Sequence, residues 1–146
     1  MADRTESTIS IDANPEQVLR VIADLDSYPE WVDDVKTVEV LSRRGGRPLQ
    51  ARFVLDSGPI KDTYVLEYSW PPGRTGTGTV SWSLVEGTII SSLDGSYELV
   101  AAGDGTDVTY RLSVDVKVPM LGMLKRKAER VIIDKALKEL KKRVEG

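Results

Sequence analysis

The stretch from Pro119 to Val144, PMLGMLKRKAERVIIDKALKELKKRV, decides how the rest of the chain is read. Leu121, Leu124, Ala128, Val131, Ile132, Leu137, Leu140 and Val144 recur at three- and four-residue spacing, which puts them on one side of a helix. About 26 residues at 1.5 Å each make a rod of roughly 39 Å, long for a domain of this size. An apolar stripe of that length has to be covered, and everything upstream of it that could cover it reads as strand. The expected geometry is a curved antiparallel sheet wrapped around one C-terminal helix, a grip able to enclose a cavity.

Working back from the helix, Val108, Tyr110, Leu112, Val114, Val116 and Val118 alternate with polar residues, the period of a strand with one covered face. Leu93, Tyr97 and Leu99 repeat that phase, as do Val80, Trp82 and Leu84. So do Tyr64, Leu66, Tyr68 and Trp70, with Val65, Glu67 and Ser69 opposite. Five turn signals divide residues 35 to 118 into six strands: Arg44 to Arg47, Asp56 to Pro59, Pro71 to Gly78, Glu86 to Gly87 and Gly103 to Gly105. Hairpins join neighbours, so these strands form an antiparallel meander, and no strand-helix-strand crossover points to a parallel sheet. Gly95, inside a strand pattern, marks a bend or a close backbone approach.

At the other end, Thr5 to Ile11 alternates as a first strand. Asn14 then caps a helix with Pro15 in its first position and Val18, Val21, Ile22 and Leu25 as its apolar stripe. A second short helix follows around Tyr28 to Trp31. The expected fold class is α+β: a seven-stranded curved antiparallel sheet around a long C-terminal helix, with two short helices after strand 1, in one domain over residues 1–146.

Composition narrows the chemistry. With no cysteine and no histidine among 146 residues, disulfides, thiolate metal sites, cysteine nucleophiles and histidine-dependent triads are excluded. No acid cluster has loop-ligand spacing, so neither a metal nor a cofactor is expected. At 40% hydrophobic and 29% charged residues, with a polar stretch from Met1 to Ser7, the chain reads as soluble and cytoplasmic. The net charge of −3 is uneven: residues 119–146 hold nine basic against four acidic residues, or +5, leaving −8 for the rest. The bland interpretation is a solvated helix face. The functional one is a footprint for an anionic membrane or partner; without interleaved aromatics, nucleic acid is not expected.

The inner face of the sheet is rich in polar-tipped rings, since the chain has one Phe but five Tyr and three Trp. Buried hydroxyls and indole N–H groups need partners. Rings that straddle a sheet edge find them in solvent or backbone; rings that line a cavity find them in water or a ligand.

The order strand, two short helices, six strands and one long helix resembles the helix-grip fold of the START and birch-pollen-allergen (SRPBCC) superfamily. The segments Ser27 to Trp31, Lys61 to Tyr64, Val80 to Trp82, Asp94 to Tyr97 and Leu121 to Arg130 resemble its polyketide cyclase/dehydrase-like branch, especially actinobacterial members. The resemblance spans nearly the whole chain. It implies a cavity for a hydrophobic molecule and, in the cyclases, a poly-ketone folded for aldol closure by a proton acceptor and oxyanion donors. Tyr hydroxyls, Arg52, Arg111, Asp62 and Asp94 are the available groups, but the strand phase turns Arg111 and Asp94 outward and sets Asp62 at a strand end.

Three functions follow in order: carriage of a small hydrophobic molecule (lipid, quinone, steroid or polyketide-like), polyketide cyclisation or dehydration, and an interaction module using the basic helix face. The expected ligand contacts are Trp31, Phe53, Tyr64, Leu66, Tyr68, Trp82, Leu84, Tyr97, Tyr110 and Leu112, with Leu124, Ala128 and Val131 from the helix. The entrance is expected around Tyr28 to Trp31 and the hairpin tips 57–60 and 101–107. The expected state is a monomer or homodimer with at most weak peripheral membrane contact.

Overall fold

A computed structural model describes residues 5–56, 61–72, 75–117 and 122–146. The elements run β1 (Thr5–Ile11), α1 (Pro15–Ala23), a 3₁₀ turn at Leu25–Ser27, α2 (Tyr28–Trp31), β2 (Val35–Arg44), β3 (Arg47–Asp56), β4 (Lys61–Ser69), β5 (Gly78–Gly87), β6 (Ile90–Ala102), β7 (Gly105–Val116) and α3 (Gly122–Glu145). The strands form one antiparallel sheet in the order β1-β7-β6-β5-β4-β3-β2, so the first strand pairs with the last and only the β1 and β2 edges are unpaired. This is the helix-grip arrangement read from the sequence.

Local chemistry accounts for the boundaries. The Asn14 side chain accepts from the Gln17 backbone N–H at 2.9 Å, and Pro15 fills the first helical position of α1. Gly45 and Gly46 take φ of 59° and 80°, the pair of left-handed residues that a two-residue hairpin between β2 and β3 requires. The β5–β6 turn falls at Thr88 and Ile89, two residues beyond the expected Glu86–Gly87, which still pair with β4. The Asp62 carboxylate holds it there, accepting from the backbone N–H groups of Thr88, Ile89 and Ile90 at 3.1, 3.0 and 2.9 Å and from Thr63 at 2.8 Å. Burial of Asp62 by itself would raise its pKa; these four donors outweigh that and hold the carboxyl below its ordinary range.

Tyr64, Val65 and Leu66 are buried in succession. Val65, expected on the wet face, is covered where the β4–β5 register shifts between Val65 and Leu66, a bulge that breaks strict alternation. Further shifts in β2–β3 and at Ile90/Ser92 bend the sheet around α3. The expected turn at 57–60, part of that at 71–78, and Val118 and residues 119–121 of the expected helix lie outside the described residues.

Of the expected helix stripe, Leu137 and Leu140 are buried and Ile132 and Val144 pack against the core, but its N-terminal half is turned. Leu124 and Val131 are 55% and 60% exposed, whereas Glu129, Ile133, Leu137 and Leu140 are buried. Ile133, Leu137 and Leu140 set the phase, and position 129 extends it by one turn with a glutamate that the fold satisfies completely. Thr5 Oγ1 donates to Glu129 Oε1 at 2.6 Å, and the Val114 backbone N–H and Lys125 Nζ donate to Oε2 at 2.8 and 2.6 Å. One carboxylate thus ties α3 to β1 and β7, the strands it packs against.

Candidate functional site

Between the concave face of the sheet and α3 lies a cavity of about 150 Å³. Its walls include nine of the residues expected to contact a ligand: Trp31, Phe53, Tyr64, Leu66, Tyr68, Trp82, Tyr97, Tyr110 and Leu112. Leu84, Leu124, Ala128 and Val131 are not in the walls. Leu124 and Val131 face outward, and Ala128 and Leu84 are half-buried. The helix lines the cavity instead with Ile132, Lys135, Ala136 and Glu139. Ile132 and Leu140 belong to the expected stripe, and Ala136, midway between them at four-residue spacing, is the member missing from it.

The rings touch in series across the sheet. Phe53 stacks on its cross-strand partner Tyr64 with centroids 5.5 Å apart, Tyr68 meets its partner Trp82 at 5.8 Å, and Tyr97 meets its partner Tyr110 at 4.7 Å. Trp82 also lies 5.2 Å from Tyr97 and 5.7 Å from Tyr110. Opposite Trp82 stands Gly95, over which the indole lies flat: a Cβ on Gly95 would be 2.4 Å from Trp82 Nε1. The close approach expected at this glycine is therefore a seat for the ring.

The hydroxyls divide into two kinds. Tyr28 donates to the Ile22 carbonyl at 2.5 Å and is committed to the fold. Tyr64, Tyr68, Tyr97 and Tyr110 are each 7% exposed, and their hydroxyls make no hydrogen bond to the protein among the described residues. Among those residues the only side-chain polar atom both sealed from open space and unpartnered is Arg47 Nη1, so these four hydroxyls open onto the cavity they line. Burial pushes all four above the ordinary phenol range, and neighbouring charges and phenols add to it. At neutral pH they are O–H donors and poor proton acceptors.

Charged groups are confined to one side of the cavity. Lys135 Nζ lies 3.1 Å from Asp34 Oδ1, and the Asp33 backbone N–H donates to Glu139 Oε2 at 3.1 Å. Arg143 Nη2, one turn further, lies 3.1 Å from Glu30 Oε1. Positions 135, 139 and 143 of α3 therefore fasten the segment 30–34, which carries Trp31 and Val32 into the cavity wall. Burial raises the Glu139 carboxyl above its ordinary range, although the Asp33 N–H bond pulls the other way. Of the places expected to form the entrance, Tyr28 and Trp31 are in the cavity wall, residues 101–107 do not line it, and the tip 57–60 is outside the described residues.

The other catalytic candidates point elsewhere. Arg52 pairs with Glu39 at 2.6 Å, Arg111 bridges Glu6 and Glu98 at 3.5 and 3.1 Å, and Asp94 is exposed. Asp62 spends both oxygens on backbone N–H groups. Among the described residues no group of three or more acids could hold a metal ion, and no helix is long and apolar enough to cross a membrane.

The comparisons with known proteins agree with this geometry. No curated protein matches the sequence. Among solved structures, a START superfamily protein from Mycobacterium smegmatis matches with a TM-score of 0.88 at 24% identity, over 97% of each chain. A protein from Thermus thermophilus matches at 0.80 and 25% identity, again over 97% of each chain. The Zhui aromatase/cyclase from Streptomyces sp. R1128 matches at 0.75 and 16% identity, over 98% of this chain and 93% of that one, a likeness of fold. The model of the family described as polyketide cyclase / dehydrase and lipid transport matches residues 2–145, and the chain belongs to that family.

Proposed function

We propose that this protein, as one unit over its whole length, binds and carries a small ring-containing hydrophobic molecule with hydrogen-bond-accepting oxygens, in the cytoplasm. The observation that carries this reading is the set of four tyrosine hydroxyls, at Tyr64, Tyr68, Tyr97 and Tyr110, that line the cavity without a protein partner. Ring faces supply apolar contact, and protonated hydroxyls offer donors to a carbonyl, quinone or ether oxygen. Size narrows the ligand further. A cavity of about 150 Å³ takes a benzene-sized molecule, so a larger guest would extend past Lys135 and Glu139 or require the segment 30–34 to move.

The test is a thermal-shift and native mass-spectrometry screen across single-ring and fused-ring quinones, aryl ketones, steroids and lipids. A stabilising one-to-one complex with an oxygenated ring compound, weakened in Tyr64→Phe and Tyr110→Phe, is the expected result. Absence of any complex across the set contradicts the reading.

The same hydroxyls favour a second reading, cyclisation or dehydration of a poly-ketone, in which they would hold an enolate oxygen. Of the two carboxyls in the cavity wall, Asp34 is paired with Lys135, which leaves Glu139 as the proton acceptor. Product formed faster than in buffer, and lost in Glu139→Gln, would support it; identical product ratios with and without protein would dismiss it.

A further inference from the structure

The outward face of α3 has no role in the cavity. Leu124, Val131 and Lys138 are seven residues apart, and Lys127 and Lys142 fall within the same stripe at 100° per residue. Leu124 and Val131 are 55% and 60% exposed, and Met123 beside them is 83% exposed. Among the described residues, three of the seven exposed large hydrophobic side chains thus lie within nine residues of one helix. Lys127, Arg130, Lys138 and Lys142 are all exposed, and none has a hydrogen bond or ion pair among the described residues. The other basic residues of α3, Arg126 among them, are engaged: Lys125 with Glu129, Lys135 with Asp34, Lys141 with Glu145 and Arg143 with Glu30. The same side carries two acids, the half-buried Asp134 on its edge and Glu145, paired with Lys141, at its C-terminal end.

We propose that this face docks the protein on an anionic lipid surface, with Met123, Leu124 and Val131 entering the headgroup layer and the unpaired basic residues against the lipid phosphates. Apolar side chains set among uncompensated lysines suit a surface that is charged outside and greasy beneath; a nucleic acid offers no layer for them. The position of the face gives the docking a consequence. Lys135, one turn beyond Val131, is in the cavity wall and pairs with Asp34, so a membrane beneath the stripe borders the segment 30–34. The inference is independent of which molecule the cavity holds.

The test is vesicle co-sedimentation of the whole protein, comparing pure phosphatidylcholine with vesicles containing about 30% phosphatidylglycerol. At low salt the anionic vesicles are expected to bind roughly tenfold more tightly or better, because each lysine near an anionic surface contributes a several-fold factor. Raising salt from about 50 mM to about 500 mM is expected to remove most of that gain. The triple variant K127E/K138E/K142E is expected to bind anionic vesicles no better than neutral ones. Leu124→Gln with Val131→Gln is expected to lose several-fold while the thermal midpoint, set by buried residues, stays in place. Reversal of a basic pair elsewhere, R43E/R44E on the β2–β3 hairpin, is expected to leave binding unchanged. Equal binding by wild type and the triple variant, no binding at low salt, or loss with R43E/R44E would each overturn the proposal. So would concentration-dependent dimerisation, without vesicle binding, that the triple variant abolishes, since the acidic remainder of a second copy would then be the partner.

Discussion

At the scale of single residues, the cavity depends on one missing side chain. Gly95 sits across from Trp82, and any Cβ there would overlap the indole. Gly95→Ala should drive the ring off its seat toward Tyr97 and Tyr110, filling space the hydroxyls now face. Overpacking of this kind costs about 1–3 kcal/mol, so urea denaturation should show a loss in that range together with weakened ligand binding. Asp62 works in the opposite sense, as a buried acceptor serving four backbone donors. Its carboxyl is held below the ordinary range, so its contribution is present above that range and is lost as pH falls through the folded-state value. Asp62→Asn should cost about 2–4 kcal/mol near neutral pH. Denaturation at a series of pH values should show the gap between wild type and variant closing as pH falls through that depressed value, where the wild-type carboxyl is itself protonated.

At the scale of elements, α3 is fixed by a polar contact and an apolar one. Ile133, Leu137 and Leu140 pack it on the core, and Glu129 clamps it to Thr5 of β1 and Val114 of β7. Glu129→Ala should leave the Thr5 hydroxyl and the Val114 N–H without their acceptor at a cost of about 2–4 kcal/mol, and hydrogen exchange should rise first in β1 and the first half of α3. This clamp also explains what the sequence concealed. Strand order, the Asn14 cap and the 45–46 turn were legible because period-two alternation and turn residues act locally. The helix phase was legible only in its second half, at Ile132, Leu137 and Leu140; a glutamate on the buried side counts as polar by residue type, and Leu124 and Val131 then look like part of the covered stripe. The inner rings of the sheet were found because Tyr64, Tyr68, Tyr97 and Tyr110 obey a strict phase. Lys135, Glu139 and Asp34 were missed because only tertiary pairing between α3 and the segment 30–34 brings charge to the cavity wall.

At the scale of the whole molecule, the sheet bends at its bulges and leaves a gap that α3 roofs with small and medium side chains rather than closing it. Ala136 is the narrowest of these and faces the rings. A plug introduced there tests the central claim without disturbing the tyrosines, the clamp or the outward face. The measurement is native mass spectrometry of wild type and Ala136→Phe, each equilibrated with an oxygenated single-ring ligand identified from the screen. Wild type should carry one molecule per chain, and the plugged variant, equally folded by circular dichroism, should carry none. Equal occupancy in both proteins would place the ligand outside the cavity and contradict the account.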